Sequence, residues 1–175
     1  MLKIVLAVVV LAIAAVLVAA AFKPDTFQVQ RRALIKAPPE KIYPLLSDFQ
    51  RWGAWSPWEK KDPGMKRSFA GPKEGKGASY AWDGDKNVGQ GRMEIVEATP
   101  SSRVGLKLDF MKPFEAHNTV RFDLVPKGEL TEVTWDMQGP VPYVAKIMHV
   151  FLNMDRMVGA DFEAGLANLK SLAEK

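Results

Sequence analysis

Residues 103–137, RVGLKLDFMKPFEAHNTVRFDLVPKGELTEVTWDM, decide the fold of this chain. Val104, Leu106, Leu108 and Phe110 alternate with polar or small residues, as do Val120, Phe122 and Leu124, and then Val133, Trp135 and Met137. A period of two puts each set on one face of a half-buried strand. The runs are separated only by Met111-Lys112-Pro113 and Pro126-Lys127-Gly128, and connections this short join antiparallel neighbours. Working back along the chain, the same reasoning predicts strands over Lys66–Ala70, Ala78–Trp82 and Val88–Glu97. It then gives Arg103–Phe110, Glu115–Val125 and Leu130–Met137. Further turns fall at Gly71–Gly77, Asp83-Gly84-Asp85 and Thr99-Pro100-Ser101-Ser102. A seventh strand, Thr26–Lys36, precedes them, with Phe27, Val29, Ala33 and Ile35 set against Gln28, Gln30, Arg32 and Lys36.

Helical spacing appears on either side of the meander. Pro38 and Pro39 end the first strand and suit a first helical turn, Glu40 favours its positive end, and Ile42, Leu45, Leu46 and Phe49 recur at helical intervals. Arg51–Pro63 holds Trp52, Trp55, Pro57 and Trp58 and reads as a packed loop, because its prolines forbid a long element while its aromatics need cover. After Gly139, Pro140 and Pro142, residues Tyr143–Glu174 read as a long helix through Ile147, Met148, Phe151, Phe162, Leu166 and Leu169, with a kink or break within Asn153–Gly159. Gly159 and Gly165 lower its propensity and permit close packing. The expected class is α+β: a seven-stranded curved antiparallel sheet around a long C-terminal helix.

Ahead of this domain, Ile4–Phe22 contains only Ala, Val, Ile, Leu and Phe. As a helix it spans about 28 Å, close to the hydrocarbon thickness of a bilayer. Residues 1–25 are therefore expected to be a transmembrane anchor, and residues 26–175 one folded domain. A cleavable signal is the alternative, since Lys3 and Ala19-Ala20-Ala21 suit one, although the run exceeds the usual length of a signal core. Lys23, Arg31, Arg32 and Lys36 outnumber Lys3, which tilts the domain towards the cytoplasmic side. The net charge of +4, spread along the chain without a polybasic block, makes nucleic acid an unexpected partner and a membrane surface a favourable one. The absence of cysteine excludes disulfides, thiolate metal sites and cysteine nucleophiles.

The residues Ile35-Lys36-Ala37-Pro38-Pro39-Glu40-Lys41-Ile42-Tyr43, Trp52-Gly53-Ala54-Trp55-Ser56-Pro57-Trp58, Val133-Thr134-Trp135-Asp136-Met137 and Asp161-Phe162-Glu163-Ala164-Gly165-Leu166 follow one another in a telling order. Together they resemble the START-related superfamily of polyketide cyclase/dehydratase-like proteins, SRPBCC, over Thr26–Lys175. The resemblance implies a helix-grip fold enclosing a deep cavity, which in relatives holds lipids, sterols, polyketides or other apolar molecules. It implies no single activity, since the superfamily also includes enzymes and domains that activate a heat-shock chaperone's ATPase.

Catalytic signatures are sparse. His117 and His149 have no partner at metal-ligand spacing, so neither a metal nor another cofactor is expected. His117 shares parity with Arg121 and Asp123 and is expected to face solvent. His149 with Asp155 is the one candidate acid/base pair. Ser56 lacks a nucleophile elbow, Gly71, Gly75 and Gly77 lack phosphate-loop spacing, and the Asp83/Asp85 and Glu94/Glu97 pairs read as solvated carboxylates.

Trp55, Trp58, Tyr80, Trp82, Phe110, Trp135 and Met137, with Met148, Phe151 and Met154, form the candidate ligand-binding set. Each alone reads more simply as core, but as a set they suit the lining of an apolar cavity. The functional expectation is a membrane-tethered, non-catalytic domain binding a lipid-like or polyketide-like molecule. Docking to a protein partner through an exposed Trp-Pro segment, and cyclase, dehydratase or hydrolase chemistry through His149, are the alternatives.

Overall fold

A computed structural model describes residues 1–175. Seven strands form one fully antiparallel sheet: β1 (Thr26–Ile35), β2 (Lys66–Ala70), β3 (Ser79–Asp83), β4 (Gln90–Thr99), β5 (Arg103–Lys112), β6 (Ala116–Lys127) and β7 (Leu130–Pro140). The spatial order is β1-β7-β6-β5-β4-β3-β2, so β2 to β7 make an unbroken meander and β1 closes its far edge against β7. The inward parity is as expected: Val104, Leu106, Val120, Phe122, Leu124, Val133 and Trp135 are all buried.

The helices are α1 (Leu2–Ala21), α2 (Pro39–Ser47), α3 (Trp58–Lys61), α4 (Tyr143–Phe151) and α5 (Met154–Ala173). A 3-10 turn, Phe49–Ala54, joins α2 towards α3, so the Trp-rich segment is folded into short helical pieces. Pro39 occupies the first turn of α2, and Ile42 and Leu46, one turn apart, are completely buried. Helix α5 lies on the concave sheet face through Phe162, Leu166 and Leu169, which join Val29, Phe122 and Trp135 in a single core.

Two expectations are corrected in detail. The strand expected over Val88–Glu97 is β4, two residues later at both ends, because Gly89 at φ +65° still belongs to the preceding turn. Its register against β5 shifts between Ile95 and Glu97, leaving the half-exposed Val96 unopposed; this bulge interrupts the alternation that the sequence shows elsewhere. The helix expected over Tyr143–Glu174 with a kink or break within Asn153–Gly159 is two helices, the break falling at Leu152 and Asn153, at the front edge of that range. Leu152 is extended, and the Asn153 side chain accepts a 3.0 Å hydrogen bond from the Arg156 backbone N–H, starting α5 afresh.

Candidate functional site

Where β7 and α5 meet, the Trp135 ring stacks on Phe162 at 4.1 Å with planes 8° apart. Trp58 meets the same indole edge-on at 5.7 Å, as Trp55 does at 5.5 Å. This aromatic wall borders a cavity of about 650 Å³ enclosed by the sheet, α5 and α4, within the range that accommodates small organic ligands.

Most of the residues singled out from sequence meet here. Trp135 and Met137 of β7 and Trp58 of α3 line one part of the cavity, Tyr80 and Trp82 of β3 with Phe110 of β5 another, and Met148 and Met154 approach from α4 and α5. Trp55 does not line it: the side chain is 0% exposed and its indole N–H donates to the Leu45 carbonyl at 2.9 Å, making it core. Phe151 does not line it either, being 71% exposed on the outer side of α4. The lining also includes Phe114, Asn118, Val144 and Leu152, which the sequence reading did not single out: Phe114 sits in a hairpin turn outside any period, Asn118 is polar, and Val144 and Leu152 lie at the start and C-cap of a short helix.

The expected His149–Asp155 pair does not form in the structure. His149 lines the cavity, and burial, aided by the Lys23 charge, holds its imidazole pKa below the ordinary value. Asp155 lies outside the lining because Arg31 of β1 takes both carboxylate oxygens, at 2.9 and 3.1 Å, and also donates to Glu163 at 2.6 Å. The hydrogen bond from Arg31 holds the Asp155 carboxyl below its usual range, so it is ionised and engaged. The exposed Trp-Pro docking segment is also revised, since Trp52 and Trp55 are buried.

Few polar groups reach the cavity, and most are already committed. Glu59 accepts from the Tyr80 hydroxyl at 2.6 Å and from Arg67 at 2.7 Å. Burial first, and then the hydrogen bond to Glu59 and its charge, raise the Tyr80 pKa, keeping the phenol protonated. Asp161 is paired with Lys61 at 2.7 Å. Trp135 Nε1 is buried without a hydrogen-bond partner in the protein. No group of three or more His, Cys, Asp or Glu side chains is placed to hold a metal ion.

His117 faces solvent as its parity predicts, yet it also binds the buried Asp109 across the β5–β6 pair at 2.7 Å. Hydrogen bonding to Asp109 raises the His117 pKa, and the same bond lowers that of Asp109. The His117 contribution is full below its ordinary pKa of 6.5 and is lost as pH rises through the raised folded-state value. The Asp109 contribution is full above 3.8 and is lost as pH falls through the depressed value. Both act fully between those two ordinary values. His117→Gln is therefore expected to flatten the loss of thermal stability on raising pH above this window, as read from melting curves of both proteins. An unchanged slope would mean that the pair is not coupled to folding.

Solved structures of low identity share the architecture. Protein CV1439 from Chromobacterium violaceum is 16% identical with a TM-score of 0.60, covering 87% of this chain and 99% of its own. The Aha1 dimer structure from Colwellia psychrerythraea is 18% identical with a TM-score of 0.57, covering 85% of this chain and 96% of its own. The di-domain ARO/CYC BexL from the BE-7585A biosynthetic pathway is 15% identical with a TM-score of 0.61, covering 90% of this chain and 53% of its own. No curated protein matches the sequence. At such identities the neighbours establish the fold. The family model described as polyketide cyclase / dehydrase and lipid transport, however, matches residues 26–174, and the chain belongs to that family.

Proposed function

We propose that this protein is a membrane-tethered domain that holds one lipid-like or polyketide-like molecule between its sheet and its C-terminal helices, without catalysing its conversion. The observation that carries this reading is the cavity of about 650 Å³, lined mainly by aromatic and aliphatic side chains and close to a helix long and apolar enough to cross a bilayer. Anchors and signal sequences both satisfy that length and composition. Retention as an anchor is favoured by the contact of α1 with α4, which gives the helix a place on the folded domain. The family description pairs cyclase and dehydrase members with lipid transport. Here the non-catalytic side is supported because Asp155 is bound to Arg31, leaving His149 without its candidate acid/base partner.

Native mass spectrometry of the full chain, purified in mild detergent from its own cells, is expected to show a co-purifying apolar molecule. Ala145→Trp, which places an indole at a partly buried position of the lining, should abolish that species while leaving the circular dichroism spectrum intact. A chain that carries no guest and takes up no added fatty acid or aromatic polyketide would refute the reading.

A further inference from the structure

The cavity has a recognisable mouth. Phe114, Val144, Met148 and Leu152 line it and yet are 66%, 73%, 41% and 40% exposed, so they stand where the interior meets the outside. Three of them, at i, i+4 and i+8, form one stripe along α4 and its C-cap; the fourth projects from the β5–β6 turn.

This mouth lies at the end of the domain to which α1 is fastened. Thr26 pairs with Pro140 and Thr119 with Gln138, so the start of β1, the end of β7 and the start of β6 share one end of the sheet. There the Tyr143 hydroxyl of α4 donates to the Leu17 carbonyl of α1 at 2.8 Å, and Ala20 of α1 is completely buried. Just beyond α1, the Asp25 carbonyl accepts from the Val141 N–H at 2.7 Å, and the Asp25 carboxylate pairs with Lys146, whose side chain is only 9% exposed. Helix α4 is thus fastened to the last turn of α1 and to the segment that follows it.

We infer that α4 is an interfacial helix lying in the headgroup layer, so that the cavity opens directly onto the bilayer and its guest passes from lipid without crossing water. The inference rests on the proposed tether. If α1 spans the hydrocarbon core, its last turn ends at the interface, and a helix packed beside that turn, displaced sideways by the usual interaxial distance of about 8–10 Å, stands at the same depth. The headgroup zone is itself roughly 5–8 Å deep on each side. Helix α4 suits that layer: Tyr143 supplies an amphipathic ring at its start, and Val144 and Phe151, both more than 70% exposed, are apolar side chains that water disfavours. Phe22, 86% exposed at the end of α1, extends the same apolar rim. A lipid surface covers all of these at once because continuity with α1 delivers them to it.

The chain has no cysteine, so single-cysteine variants report cleanly. Full-length protein carrying an environment-sensitive fluorophore at Phe114→Cys, Phe151→Cys or, as control, Val125→Cys would be reconstituted into phosphatidylcholine/phosphatidylglycerol vesicles containing nitroxide-labelled lipid. Val125 lies nine residues along β6 from Ala116, about 30 Å from the mouth end. The labels at 114 and 151 are expected to be quenched several-fold more than the label at 125. Equal quenching would overturn the inference, as would cross-linking between two copies through position 151 in place of quenching, which would assign the face to a second chain. Uptake of a fluorescent fatty acid, measured alongside, reads the ligand-binding proposal separately: quenching without uptake sinks only that proposal, and uptake without quenching sinks only the docking. Phe151→Asp, on the exposed face of α4 and outside the cavity lining, should slow transfer from vesicles by about tenfold, while leaving the amount held at equilibrium in detergent unchanged.

Discussion

Trp135→Ala is expected to lower the domain's stability by about 3–5 kcal/mol, a large part of the ~5–15 kcal/mol that typical domains possess. The side chain is 2% exposed and is held by Phe162 stacked at 4.1 Å, Phe122 at 4.9 Å and Trp55 at 5.5 Å. Removing it takes the shared contact surface from α3, α5 and β6 together, and the neighbouring rings cannot all collapse into the space. Urea unfolding should show a lower midpoint with little change in slope. Trp135→Phe separates packing from hydrogen bonding. Because Trp135 Nε1 has no partner in the protein, the phenyl variant loses area but no internal hydrogen bond, and it should retain well over half of the stability that the alanine variant loses. A phenyl variant as unstable as the alanine variant would show that the cluster needs the full indole area and that a phenyl ring does not fill the seat.

The inward placement of Trp135 was legible because a strand's period of two needs only its immediate neighbours. The meander was legible for the same reason: its turns are short and marked by Pro and Gly, and each strand pairs with the next. What the sequence did not disclose depends on contacts across long separations. Trp55 and Trp58 are three residues apart with Pro57 between them, in a segment without one regular period, and nothing local says that the first is core while the second lines the cavity. Nearness along the chain matches Asp155 with His149, but the extended Leu152 resets the helix between them, and Arg31, 124 residues away in sequence, captures the carboxylate. The fastening of α1 to α4 joins elements at opposite ends of the chain, and hydropathy describes each without linking them. Eight of the ten candidate lining residues were nevertheless brought together, because bulky apolar residues on an inward face and an adjoining helix have the same space to enter.

Gly165→Leu is expected to cost about 3 kcal/mol, at the upper end of the usual range for overpacking, whereas Gly159→Ala on the same helix should change stability by no more than about 1 kcal/mol. The contrast follows from what each glycine faces. A Cβ at position 165 would stand 2.7 Å from Trp135 Cζ3 and 3.1 Å from Pro57 Cδ, and both neighbours are rigid: the indole is clamped by its stack on Phe162, and the proline ring belongs to the chain entering α3. The only relief is to lift α5 off the sheet, which uncovers Leu166 and Leu169. At position 159 the added atom meets the guanidinium of Arg31, the far end of a flexible side chain. Arg31 can swing aside, losing ion pairs to carboxylates that are 59% and 63% exposed, each worth at most about 1 kcal/mol, while the helix gains up to about 1 kcal/mol from replacing glycine. Urea midpoints of the two variants should therefore separate widely. Equal losses would show that α5 is not seated on Trp135 at Gly165, and the cavity wall built on that seat would have to be redrawn.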